Sequence, residues 1–121
     1  MKEISKLMGY RKEVKVLDAT LRDGGLVNNF YFTDEFVKDL YRTNVKAGVD
    51  YMEMGYRADK TMFDVDKFGK WKFCNDDDII DVIGEKDSSL KLAIMADVGR
   101  CDYKNDIQDR SNSQIDLVRV A

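Results

Sequence analysis

The stretch Leu17-Asp18-Ala19-Thr20-Leu21-Arg22-Asp23-Gly24-Gly25 decides how this chain is read. Its approach, from Val14 to Leu21, is rich in β-formers and predicts a strand. An Arg-Asp pair and then a glycine pair end that strand, where the backbone is expected to turn sharply, take positive φ and come close to a ligand. Charged groups at the end of a strand are well sited for chemistry. Arginine offers a permanently charged planar fork for a carboxylate or a developing oxyanion. The aspartate beside it is a hard oxygen ligand for a divalent cation. An ordinary strand followed by a charged turn accounts for the same residues without chemistry, so the stretch has to be weighed against its surroundings.

Before it, residues 1–13 read as a polar lead-in with one helical turn around Ile4, Leu7 and Met8. After it, Leu26 to Phe32 read as a loop with aromatic anchors. Thr33 or Asp34 then caps a helix whose apolar residues, Phe36, Val37, Leu40, Tyr41 and Val45, follow helical spacing up to Gly48. Val49 to Tyr56 is a second strand. In Tyr51-Met52-Glu53-Met54-Gly55, the residues Tyr51, Glu53 and Gly55 share one face and the methionines the other. A glutamate in an apolar strand either points to solvent at an edge or belongs to a polar site, because burying it unpaired is costly.

Arg57 to Asn75 is a long irregular segment with Phe63, Phe68, Trp71 and Phe73, which pin it to the core or mark it as functional. Asn75 to Asp78 opens a second long helix with Ile79, Ile80 and Ile83 on its apolar face. Its three acids suit the helix dipole, and metal binding is the weaker reading. Leu90 to Ala96 is a third strand, ending in Asp97-Val98-Gly99-Arg100. Residues 101–114 are polar with a short helix, and Ile115 to Ala121 is a fourth strand. The alternation of strands and helices is that of a parallel α/β structure, either a small doubly wound sheet or half of a (β/α)8 barrel. In both, the site lies at the C-terminal ends of the strands, where Arg22, Asp23, Glu53 and Asp97 fall.

The 121 residues are one domain or less, with 44% hydrophobic and 36% charged residues, a globular balance. A net charge of -3 argues against a nucleic-acid surface, and no apolar run approaches the ~20 residues of a membrane span. The charged N-terminus lacks a signal-peptide core, which suggests a cytoplasmic protein. Cys74 and Cys101 lack metal-ligand spacing and read as reduced thiols, a disulfide between them being the other option. Histidine is absent, so a site here works with Asp, Glu, Arg, Lys, Tyr or Cys.

Residues 14–25, Val-Lys-Val-Leu-Asp-Ala-Thr-Leu-Arg-Asp-Gly-Gly, resemble the opening of the HMG-CoA lyase-like superfamily, the DRE-TIM metallolyases. The 4-hydroxy-2-oxovalerate aldolase branch is the nearest in pattern. Met52-Glu53-Met54-Gly55, Met95-Ala96-Asp97-Val98-Gly99 and Asp116-Leu117-Val118-Arg119-Val120-Ala121 extend the likeness in the right order. The resemblance implies the N-terminal half of a TIM barrel over residues 14–121, cut within its fourth strand. It also implies a metal-dependent aldolase or lyase acting on a pyruvate-like α-keto acid through an enolate. Asp23 becomes a ligand of Mn²⁺ or Mg²⁺, Arg22 the donor to the enolate oxygen, and Glu53 the group that orients Arg22 or a metal-bound water. Arg22, Gly24, Gly25, Asp97 and Arg119 become the substrate-binding set.

Two departures matter. Leu26 stands where those aldolases carry a basic histidine, which leaves Tyr31, Tyr56 or water as the base. The His-x-His metal motif has no counterpart in this sequence, so the metal site is incomplete and the chain alone is expected to be inactive. A half barrel leaves sheet edges that seek a second copy or a C-terminal half. The other readings are a Claisen-type acyl-CoA synthase of the isopropylmalate or homocitrate kind, and a non-catalytic α/β domain that binds a ligand or self-associates.

Overall fold

The computed structural model describes Gly9 and residues 11–121. The helical turn expected around Ile4, Leu7 and Met8 lies outside the described residues. Four parallel strands form one sheet in the order β1-β2-β3-β4: β1 is Leu17–Asp18, β2 Tyr51–Tyr56, β3 Lys91–Ala96 and β4 Leu117–Val120. Helix α1, Thr20–Asn28, and helix α2, Asp34–Ala47, separate the first two strands; α3, Asp76–Ile83, and the short α4, Tyr103–Asp106, follow β2 and β3. This is the expected α/β alternation. Each strand lies beside its neighbour in sequence, as in a barrel that is being wound, and among the described residues β1 and β4 present open edges.

Helix α2 forms as its sequence dictates. The Thr33 hydroxyl accepts from the Phe36 N–H, Asp34 and Glu35 occupy the first turn, and Gly48 ends the helix at φ 76°. Val37 and Tyr41, one turn apart, are buried. The second long helix begins with its three acids as expected, and Ile79 and Val82 form its buried stripe. These four side chains join Met52, Met54, Leu92 and Ile94 in one apolar cluster. At roughly 1.5–3 kcal/mol for each fully buried large aliphatic side chain, this face of the sheet is the main stabilising layer.

The deciding stretch folds differently from its sequence reading. The strand expected over Val14 to Leu21 is only Leu17–Asp18, and the expected glycine turn is interior to α1. Neither Gly24 nor Gly25 has positive φ; that conformation falls at Asn29, φ 55°, and Phe30, φ 64°, just after the helix. The physical reason is side-chain packing at the end of the helix. The Phe30 ring turns back over α1, and a Cβ on Gly25 would lie 2.0 Å from its Cδ1. Gly25 is therefore the residue that lets an aromatic side chain lie flat on a helix. The expected loop from Leu26 to Phe32 accordingly begins one turn later, at Asn29, with Phe30 as its buried anchor.

The long segment after β2 is pinned down by aromatics. A 3₁₀ turn, Lys70–Lys72, carries the buried Trp71 against the sheet, and Gly55 leaves room for the Trp71 carbonyl, which a Cβ would meet at 1.9 Å. Cys74 and Cys101 are both free thiols. No helix among the described residues is long and apolar enough to cross a membrane.

Candidate functional site

Glu53 is the only acid buried without any exposure among the described residues, and it faces away from the methionines as the strand period requires. It does not point to solvent at an edge. Arg22 Nε donates to its Oε1 at 2.6 Å, while Arg119 Nε donates to Oε2 at 2.6 Å and Arg119 Nη2 to Oε1 at 2.7 Å. These are short charge-assisted bonds, the Arg119 pair bidentate. Burial alone would raise the Glu53 carboxyl, but the hydrogen bonds and charges of Arg119 and Arg22 outweigh it and hold it below the ordinary carboxylate range.

Sheet register explains how residues from three elements meet. Glu53 pairs with Ala93, and Ala93 with Leu117, so all three share a face; Arg119 is two residues beyond Leu117 and shares it too. Strands lie roughly 4.8 Å apart, so Arg119 must cross the whole width of β3 to reach Glu53. The small side chain of Ala93 leaves that path open. Arg22 arrives from the other side because α1 follows directly on β1 and packs against β2. Asp18 secures that junction, accepting from the Thr20 hydroxyl at 2.6 Å and from the Asn44 amide at 3.1 Å.

A β-bulge adds one more group. Glu53 pairs with Ala93 but Tyr56 pairs with Met95, so β2 spends three residues where β3 spends two. The extra residue reverses the parity and brings Tyr56, by sequence on the methionine face, to the side of the arginines. Its phenol lies toward Arg22. Alternation alone could not have found this; only the pairing with β3 shows it. Tyr31, in contrast, donates its hydroxyl to the Asp66 carbonyl in the outer loop.

The remaining sequence-predicted residues are placed less centrally. Asp23 is largely exposed, with Arg22 Nη1 at 3.4 Å. Gly24 has open space except for Phe32 at 3.6 Å, whereas Gly25 is covered by Phe30, so the close backbone approach expected of the glycine pair is not available at Gly25. Asp97 follows β3 and lies with Tyr56, Lys72 and Arg100 rather than against Glu53. Glu53 with Arg22 and Arg119 carries a formal excess of one positive charge, which the exposed Asp23 beside Arg22 offsets, so the open face offers an anion the free donors of Arg119 rather than a net charge. Among the described residues no three His, Cys, Asp or Glu side chains converge as a metal would need. Asp23 alone does not fit Mn²⁺ or Mg²⁺, each of which takes several oxygen donors.

A larger cavity, about 580 Å³, opens elsewhere, between Arg57, Asp76 and Asp106. Size does not make it the better site. Arg57 sends its Nε to the Cys74 carbonyl, Nη1 to the Asp106 carbonyl and Gln108, and Nη2 to Asp76, so its charge and four of its five donors are already spent on the protein. Asp76 also accepts from Ser113 and from the Gln114 N–H, which makes it a loop anchor as well as a first-turn acid.

No protein-family profile matches this chain, and no curated protein does. A solved structure is similar: the N-terminal domain of a putative aldolase from Bacteroides vulgatus, 26% identical, with a TM-score of 0.65. The match covers 88% of this chain and 35% of that one, so the chain spans about a third of the length of the structure it matches. The fold is thus that of the first part of an aldolase barrel.

Proposed function

We propose that this chain is the substrate-orienting part of an aldolase or carbon–carbon lyase of the DRE-TIM type, acting on a pyruvate-like α-keto acid. The observation that carries the reading is the buried Glu53 held between Arg22 and Arg119. Cleavage or formation of a bond next to a keto group passes through an enolate, whose oxygen gains negative charge as the transition state is approached. A cation already held in place stabilises that charge without reorganising at the moment of reaction. Arg22 is that cation in this reading, and Arg119 with it favours the substrate carboxylate. Glu53 is a positioning residue: it fixes the guanidinium planes and is itself shielded from substrate.

Tyr56 is the base candidate favoured by the bulge, because Leu26 cannot move a proton. If a divalent ion takes part, Asp23 is the one donor this chain offers it, and the other ligands come from outside these residues. The open edges of β1 and β4 take further strands, from a second copy or from a C-terminal half.

The test is proton exchange at the pyruvate methyl group in D₂O, followed by NMR, in the whole protein made from the native gene. Arg22→Ala should slow exchange by about 100-fold, corresponding to roughly 3 kcal/mol for an oxyanion donor. Exchange at the same rate in Arg22→Ala overturns the reading.

A further inference from the structure

Lys72 is a half-buried cation to which the enolate chemistry above gives no role. Its Nζ lies over four rings, 4.3 Å from the centroid of Phe63, 4.9 Å from Tyr56, 5.3 Å from Phe30 and 5.4 Å from Phe68. Lys86 and Lys70 show the ordinary use of a lysine, the first bound to Asp116 and the Gln114 carbonyl, the second to Asp34. Among the described residues the Lys72 Nζ has no such acceptor. Burial pulls its ammonium below the ordinary value, which Asp97 opposes and the charge of Arg100 adds to. The negative faces of the four rings act on the side of the charged form. The group in the cage is therefore a cation held by aromatics.

The backbone fixes where this charge sits. Lys72 ends the 3₁₀ turn that buries Trp71, and Gly55 gives that turn its close approach to β2. The Lys72 carbonyl accepts from the Ala58 N–H at 3.2 Å, which ties it to the residues just after Tyr56. Phe30 meets the Tyr56 ring edge to face, with centroids 5.6 Å apart and planes at 88°. Phe63 and Phe68, also edge to face, complete the cage from the segment that follows. Tyr56 is thus a buried ring with two supports, an aromatic neighbour and the Lys72 ammonium.

We propose that Lys72 is a positioning residue: its ammonium, held over the Tyr56 ring, fixes the Tyr56 hydroxyl for proton transfer beside Arg22. The inference rests on the reading of Tyr56 as the base. A base must stay within hydrogen-bond reach of the proton that it takes. A phenol at the end of a bulged strand does so only while its ring is kept from swinging, and a displacement of about 1 Å costs about a hundredfold in rate. A cation serves here better than an apolar side chain, because it attracts all four ring faces at once. It therefore holds Phe63 and Phe68 of the outer segment to the same tyrosine. Lys72 itself exchanges no proton with the substrate.

The experiment is exchange of the pyruvate methyl protons in D₂O by the whole protein, followed against pyruvate concentration. Lys72→Met keeps the apolar stem and removes the charge. Its maximal rate should fall by about tenfold to a hundredfold, with the half-saturating concentration unchanged because Arg22 and Arg119 still hold the carboxylate. Lys72→Arg, whose guanidinium stacks on aromatic faces, should restore most of the rate. Tyr56→Phe keeps the ring in the cage without its hydroxyl and should slow exchange by about a hundredfold. Adding Lys72→Met to it should slow exchange little further. Lys72→Met at the wild-type maximal rate, Lys72→Arg as slow as Lys72→Met, or a second full loss in the Tyr56→Phe background overturns the proposal. Exchange that Arg22→Ala abolishes and Lys72→Met leaves alone overturns the role of Lys72 and spares the enolate reading. No exchange by the wild-type protein overturns both. NMR of the wild-type protein serves where a variant fails to fold: the Lys72 ε-methylene protons are expected upfield, shielded by the rings, and an ordinary position overturns the cage.

Discussion

Arg57 and the Arg22–Arg119 pair both ion-pair with carboxylates near β2, yet their accounts of charge differ. Arg57 is almost fully buried, balanced by Asp76, and has its nitrogens directed at two backbone carbonyls, an amide oxygen and that carboxylate. One Nη2 hydrogen is left over, on a guanidinium whose charge Asp76 already balances. Glu53 is buried just as deeply, but it is shared by two arginines, one of them also beside the exposed Asp23, and Arg119 keeps about 39% of its side chain exposed. Arg119 Nη1 makes no bond to Glu53, so its hydrogens are left for water or an anion. Burial alone therefore does not separate an ion pair closed on itself from one that could take a ligand; the unspent, exposed donors do.

The sharpest way to break the comparison is Arg57→Ala. It strands the Cys74 and Asp106 carbonyls and the Asp76 carboxylate, and should cost about 4 kcal/mol of stability in urea denaturation, as removal of one partner from a buried pair does. Pyruvate binding by the folded fraction should not change. Loss of binding with little loss of stability would reverse the assignment of the two centres.

Glu53→Gln should be next in size, about 3 kcal/mol, because it leaves two guanidiniums facing one another, partly relieved by water at Arg119. The same carboxylate predicts the acid limb of stability. Its folded pKa is depressed, so its contribution is present above the unfolded value and is lost as pH falls through the folded one. Asp116, also held low by Lys86 against its burial, adds to the same limb. Thermal melting between neutral pH and about pH 3, below the usual carboxylate range, should show wild type losing stability on acidification and Glu53→Gln losing less. Parallel curves would mean that the clamp does not titrate.

The smallest stability effect belongs to Arg119→Met, about 1 kcal/mol, since Arg22 still pairs with Glu53 and the apolar stem is kept. Binding should move the other way from Arg57→Ala: calorimetry should show pyruvate affinity about tenfold weaker, the loss of one charge-assisted carboxylate contact. Unchanged affinity would place the substrate carboxylate elsewhere.

Much of this protein was legible in its residues. Helix α2 was readable from Thr33 to Gly48, because capping and periodicity are local. The α/β order was readable because strand and helix periods differ, and Glu53 was suspect because acids are seldom buried unpaired. Arg22 and Glu53 were both singled out, but that they touch is a fact of packing between residues 31 positions apart. Where the reading failed, side-chain packing had overruled a backbone preference. Gly24-Gly25 looks like a turn, yet Phe30 packed on Gly25 holds it as helix. The Lys72 cage gave no sequence signal, since its rings are scattered from Phe30 to Phe68 with no common period.

Local chain chemistry, then, determined the elements, their order and the charged residues available to a site. Tertiary structure decided the partners: the register that carries Arg119 across Ala93, the bulge that turns Tyr56 toward the arginines, and the fold of the long segment that closes four rings over Lys72. The reason is range. Hydrogen bonds within a helix or cap are fixed by neighbours in sequence, whereas pairing a buried charge requires groups that only the packed sheet brings within reach.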